Sequence, residues 1–306
     1  MGDDREQFLL VLPSNSSMRY FPGNTTTSFH TELPHTIQLI GEWEVALSEI
    51  QYPCSFYHVR AGSDENVVKF VDLKYGASEK GPFTAKEATI EPGVYKNIKD
   101  LIAVINSACK DAGSHFQFSR DVTRGGRILT EVNCPDGCNT VHHINFSNRL
   151  LRILGYEALP FSTEEKHSKL EIYKSNSKDK VYTADFIKLG FIHKPNGTWI
   201  QARWSIEPFS LWRAIPDKLF VYSDVCEPYI TGDTRTPLLR IVPVEIISHN
   251  YEYGANQVKH FSPMHYIPLR RTNFRRIEID IKDQFGEKIA FESGTLTATL
   301  HFKRIQ

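Results

Sequence analysis

The last strand-like segment of the chain sets the strongest constraint on its fold. Leu296, Ala298, Leu300 and Phe302 alternate with Thr297, Thr299, His301 and Lys303, an unbroken period of two. Such alternation puts one face on a core and the other in water, as in an antiparallel sheet buried on one side. The period recurs at Ile277, Ile279 and Ile281 against Glu278, Asp280 and Lys282, with a turn at Asp283-Gln284-Phe285-Gly286. Near the start, Trp43, Val45 and Leu47 share one face, and Glu44, Ala46 and Ser48 the other. The phase then flips, because Ile50 and Tyr52 fall on the second face, so the spacing predicts a bulge or a strand passing between layers. Phe8 to Leu12, closed by Pro13, and Ser28 to Ile40, edged or broken at Pro34, make three strands before residue 60. After residue 210, Lys218 to Ser223 and Leu238 to Val244 bring the expectation to about five more. The second of these is apolar on both parities apart from Arg240, which predicts a strand buried on both faces.

The middle has a different rhythm. Asn97 reads as a helix N-cap with Asp100 at the third position, and Ile98, Leu101, Ile102 and Ile105 follow at helical spacing up to a stop at Gly113. Phe116-Gln117-Phe118 and Ile128 to Val132 flank Arg124-Gly125-Gly126 as a hairpin. Ser147 caps a second short helix carrying Leu150, Leu151 and Leu154, closed by Gly155. The charged run Ser162 to Lys180 reads as an exposed loop or added flap. Eight strands in two antiparallel sheets is the jelly-roll number. The economical fold is therefore mainly β: a single jelly-roll sandwich formed by residues 1–60 and 210–306, interrupted by a mixed α/β insertion at 61–209. Counting alone leaves two β-rich domains in series open.

Composition narrows the function classes. Lys+Arg and Asp+Glu are 36 each among 306 residues, a net charge of zero where a general nucleic-acid binder is distinctly basic. No apolar run approaches a membrane span, and the acidic start Gly2-Asp3-Asp4-Arg5 does not read as a signal peptide. Five cysteines at scattered spacing suggest no disulfide framework, so the acceptor sequons at Asn15, Asn24, Asn145 and Asn196 are expected to stay unglycosylated.

The chain has no phosphate-cradling Gly-rich loop, no nucleophile elbow and no His-Glu-x-x-His helix, and it is not read as an enzyme. Cys134 and Cys138 with His142 and His143 are residue types that can meet around zinc. A site within ten residues is cramped, and free cysteines on a turn is the simpler reading, so no metal or cofactor is assigned. Adjacent His142 and His143 also lack the His-x-His pattern of a cupin pocket, since neighbouring strand residues point to opposite faces. Arg270, Arg271, Arg275 and Arg276 form the one dense basic cluster; nucleic acid is the less favoured partner, and surface pairing with Glu278 and Asp280 the expected use. Trp199/Trp204 and Trp212/Phe220 serve either as ligand platforms or as sandwich core, with core preferred.

Three blocks carry a family likeness: FLLVLPSNSSMRYFPGNTTTSFHTELPHTIQLIGEWEVALSEIQYP from residue 8, LFVYSDVCEPYITGDTRTPLLRIVPV from residue 219, and FSPMHYIPLRRTNFRRIEIDIKDQFGEKIAFESGTLTATLHFKR from residue 261. Between them stand EPGVYKNIKDLIAVIN and FSNRLLRILGYE, with 156–215 the loosest match. In this order they resemble the minor capsid (penton) protein of Maverick/Polinton elements and adintoviruses, which is similar to the pentons of virophages and adenoviruses. The resemblance implies a homopentamer at the fivefold vertices of a virion, beside a double-jelly-roll major capsid protein. It also implies an outward-facing insertion, from which a host receptor would be met. No Arg-Gly-Asp tripeptide is present, so integrin attachment is not carried over. Given that role, Asp224 to Thr236 and Phe261 to Arg271 are expected to hold intersubunit or capsid-facing loops, with Tyr229, Asp233, Arg235, His265, Arg270 and Arg271 as candidate interface residues. The alternative is a receptor- or carbohydrate-binding sandwich.

Overall fold

The computed structural model of the chain describes residues 6–62, 65–74, 76, 78, 81–132, 140–156, 167–174, 177–193, 199–244 and 253–305. The chain forms two compact units, Met1–Phe56 with Pro216–Gln306, and Tyr57–Ile215. The first unit begins with β1 (Gln7–Pro13), β2 (Ser28–Gln38) and β3 (Trp43–Pro53). The second holds β4 (Val67–Lys74), β5 (Lys86–Thr89), α1 (Ile98–Asp111), β6 (Phe116–Asp121), β7 (Arg127–Val132) and β8 (Thr140–Phe146). It continues with α2 (Asn148–Leu154), β9 (His167–Lys174), β10 (Ser177–Lys188), β11 (Gly190–His193) and β12 (Trp199–Pro208). The first unit resumes with β13 (Lys218–Ser223), β14 (Tyr229–Thr231), β15 (Thr234–Thr236) and β16 (Leu238–Pro243). It closes with β17 (Asn256–His260), β18 (Ile267–Pro268), β19 (Asn273–Lys282) and β20 (Thr297–Arg304).

The first unit is a jelly roll, and its strand order shows why. One sheet runs β1-β20-β3-β17 and the other β16-β13-β19-β2, with antiparallel neighbours throughout. Setting aside the short β14, β15 and β18, the first strand pairs with the last, the second with the seventh, the third with the sixth and the fourth with the fifth. That is one long antiparallel ribbon folded over into two Greek keys. The chain leaves this unit after the third strand and returns before the fourth.

The side-chain pattern explains the register. Leu300 and Phe302 of β20, Val45 and Leu47 of β3, Ile277, Ile279 and Ile281 of β19, and Leu219 and Val221 of β13 are fully buried. Each such side chain contributes about 1.5–3 kcal/mol by leaving water. The phase flip in β3 is a bulge: Glu49 pairs with Thr299 and Leu47 with Leu300, leaving Ser48 over, and its hydroxyl donates to the Thr299 carbonyl at 2.9 Å. Pro34 lies on an edge strand, inside a second irregularity where Ile37 pairs with Phe274 but Glu32 with Arg276. The expectation that Leu238 to Val244 is buried on both faces is corrected. β16 is an edge strand with Ile241 exposed, and an extra residue at Leu239 lets Leu238 and Leu239 both turn inward.

The second unit has a five-stranded sheet, β5-β4-β8-β10-β9, and a four-stranded one, β11-β12-β7-β6. Val68, Phe70, Ile144 and Phe146 join Phe118, Ile128 and Val132 in one core with the apolar faces of both helices. Asn97 caps α1, accepting from the amides of Lys99 and Asp100 at 2.9 and 3.1 Å. Gly113, at φ +71°, ends it. Ser147 caps α2, accepting from the Leu150 amide at 3.2 Å. Gly155 closes it at φ +76°, against the backbone of Glu207, where a Cβ has no room. The charged run Ser162 to Lys180 is not simply a loop. Its described part forms β9 and the start of β10, with Leu170 and Ile172 buried against Phe186. Their alternation with Lys169 and Glu171 is a strand period overshadowed by charge.

Candidate assembly interface

Three connections of the jelly roll gather at one end: 39–42 between β2 and β3, 224–237 between β13 and β16, and 261–272 between β17 and β19. The chain leaves and re-enters this unit at the opposite end. Backbone bonds bind the gathered segments together: Leu39 N to Thr272 O at 2.8 Å, and Leu269 N to Trp43 O, Arg270 N to Val225 O and Glu227 N to Pro268 O, each at 2.9 Å. β18 adds a short pairing to β3 at Val45 and Glu44. The candidate residues all lie in these segments.

Asp233 and Arg235 are exposed on the β14–β15 hairpin, whose turn uses Gly232 at φ +64°. Tyr229 is half-buried at the hairpin base, its hydroxyl pKa raised by burial and then by Cys226 and Tyr222. His265 and Arg270 are exposed. Ile230, which sequence reasoning passed over, is 74 % exposed opposite Arg235, the most exposed large apolar side chain among the described residues.

Arg271 has a different place. It is half-buried, forms an ion pair with Asp224 and donates to the Arg276 carbonyl at 2.9 Å. Asp224 in turn accepts from the Glu278 amide at 2.8 Å. Arg271 thus braces the loops from within. Arg275 pairs with Glu32 at 2.9 Å. The expected partners are corrected: Glu278 faces His30 at 3.4 Å and Asp280 faces Lys282 at 3.7 Å. The irregularity after Phe274 brings Arg275 to the neighbouring edge strand instead.

Cys134, Cys138 and the side chain of Trp199 lie outside the described residues. His142 and His143 are buried in β8. His142 Nδ1 is 2.7 Å from Asp72 Oδ1 and its ring meets Phe116 edge-on, while His143 pairs across the sheet with Val71, which packs with Leu170, Ile172 and Phe186. Asp72 is held below the usual carboxylate range by His142 and Lys86, against the opposing push of burial. Among the described residues no three His, Cys, Asp or Glu side chains gather closely enough to hold a metal. Cys109 and Cys226 are buried thiols, each pushed up to about 12 by burial. One face of Trp204 is covered by Arg124, 3.8 Å above its ring, and Asp121 accepts from its indole N–H at 2.9 Å. Trp212 and Phe220 belong to different units. No described helix is long and apolar enough to cross a membrane.

By fold, then, the chain is a jelly roll with a mixed α/β unit inserted between its third and fourth strands. No protein-family model matches it, and no curated protein is similar to it. Solved structures similar to it include the mavirus penton protein, with TM-score 0.44 and 10 % identity over 98 % of this chain and all of the other. Another is a chain of the Sputnik virophage, with TM-score 0.42 and 12 % identity over 98 % of each.

Proposed function

We propose that this chain is a minor capsid protein of the penton kind: five copies form a capsomer at the fivefold vertex of an icosahedral particle, beside a double-jelly-roll major capsid protein. The observation that carries this reading is the strand order of the first unit. Seven of its eight ribbon strands, all but β17, fall in the blocks whose sequence resembles the Maverick/Polinton and adintovirus pentons, and the interruption falls between its third and fourth strands. A ring of identical copies needs two different faces on each copy, and a sandwich supplies them while its interior stays packed. In this reading the end bearing Ile230, Asp233, Arg235, His265 and Arg270 meets the shell. The inserted unit faces outward, where a receptor would be engaged. The test is the mass of the purified protein by size exclusion with light scattering. A species about five times 35.1 kDa supports the reading. A stable dimer contradicts it, because a closed twofold pair has no place on a fivefold axis.

A further inference from the structure

β1 is the outermost strand of its sheet, and Gln7–Pro13 contains no charged residue. Leu9 and Val11 are 56 % and 60 % exposed on it. Proteins that remain single blunt such an edge with charge, proline or a bulge. The other three edges of the sandwich carry charge or an irregular register along the strand, with Pro34 and a register shift in β2, Arg240 in β16, and Lys259 and His260 in β17, whereas β1 has only the proline that ends it, Pro13. Across the face that bears Leu9 and Val11, the central strands present Thr297, Thr299, His301, Glu49 and Gln51. On the eight ribbon strands, exposed apolar side chains return at the far edge, with Val258 on β17, and with Ile241 on β16 at the edge of the second sheet away from β2.

Each flank also carries a charge that has no ionic partner among the described residues. Arg240 lies over the Phe261 ring, 4.1 Å from its centroid; the residue is half-exposed, and its inner nitrogen Nη1 is buried with no hydrogen-bond acceptor among the described residues. Burial pushes this guanidinium below its ordinary pKa. Glu6, at the foot of β1, is exposed and has no ionic partner among the described residues. A cation and a carboxylate left over on opposite flanks of one domain cannot meet within it, but can meet between copies.

We propose that copies of this chain join head to tail, the β1 flank of one packing on the β16–β17 flank of the next, with Glu6 of the first facing Arg240 of the second. Such a contact is heterologous, and its repetition gives a closed ring when the rotation between neighbouring copies is a fifth of a turn. This deepens the five-copy reading and rests on it.

The test uses the full chain, with Val11→Lys on one flank and Val258→Lys on the other, both checked for folding by circular dichroism. Each variant alone is expected to run as a monomer, and an equimolar mixture as a one-to-one dimer, because the intact flank of each engages that of the other. A ring that persists in both variants overturns the assignment of flanks while the five-copy reading stands. Monomers that do not pair on mixing overturn the head-to-tail geometry. A wild-type chain that stays monomeric overturns the contact itself, with the vertex reading then judged by particle imaging. Arg240→Met separates assembly from folding. It is expected to unfold at no lower denaturant concentration than wild type, yet to need about tenfold more protein to form rings. Lower stability with unchanged assembly would show Arg240 to be a packing residue and overturn its part in the contact.

Discussion

Arg149 closes the root of the inserted unit, and its removal is the sharpest single perturbation there. Its guanidinium donates through Nε to the His58 carbonyl at 2.9 Å, and through Nη2 to the carbonyls of Tyr57 at 2.6 Å and Ala214 at 2.8 Å. The segment entering the unit and the segment leaving it are thereby held by one side chain, only 19 % exposed. The ion pair with Glu65 is longer, at 3.8 Å, with a carboxylate a third exposed, and adds little. Hydrogen bonds to a charged group contribute roughly 1.5–3 kcal/mol each but are not additive when they share it. Arg149→Met also leaves three carbonyls without their donor, so a loss of about 3–5 kcal/mol is expected. Arg149→Lys keeps the charge without the fork and should lose roughly half of that. Native-state hydrogen exchange reads the effect locally, at the amides of His58 and Val59, which donate to the Gly93 carbonyl, and of Ile215, which donates to that of Trp212. A loss of about 3 kcal/mol means exchange roughly a hundredfold faster at these amides. Rates within about threefold of wild type would refute the clamp.

His58 has its pKa lowered to about 4 by burial first and the Arg149 charge second, and its Nδ1 accepts from the Tyr95 amide at 2.9 Å. Between pH 6.5 and 4 the unfolded chain binds a proton that the folded chain refuses. Stability is therefore complete above pH 6.5 and falls with pH, by about 2 kcal/mol between pH 7 and 5. Denaturant unfolding at both pH values should show His58→Asn with a shallower slope, and equal slopes would remove His58 as the cause. Gly155→Ala places a Cβ against the Glu207 backbone at a positive φ, so a loss of about 2 kcal/mol or more is expected in the same assay; a neutral result would show that this turn can shift. On the proposed penton reading, Ile230→Asp combined with Arg235→Glu should leave ring mass and stability unchanged, as both residues are exposed, but prevent co-sedimentation with particles of a double-jelly-roll major capsid protein. Normal incorporation would remove the hairpin from the shell contact.

The fold was readable because its central strands face a core on one side only. β19 and β20 alternate cleanly, and the phase flip in β3 marked a real bulge. β17 left no such trace: Asn256–His260 is an edge strand whose one apolar residue, Val258, is exposed, so neither period nor hydrophobicity stands out. β16 misled for the converse reason, since a bulge beside an edge produces an apolar run without two-sided burial. The loops bearing the candidate interface could be located from turn residues between strands. Their internal division could not, because the partner that ties down Arg271, Asp224, lies 47 residues away. The Arg149 clamp is equally invisible in sequence, joining carbonyls 91 and 65 residues distant.

The most direct test of the proposed vertex role is an icosahedral reconstruction of particles formed by co-expressing this chain with the double-jelly-roll major capsid protein that the proposal requires, compared with particles lacking the chain. Density for five jelly rolls around each fivefold axis, absent when the chain is omitted, is the expected result. Closed particles with identical vertices in both preparations, or this chain at any other position of the shell, would contradict the account.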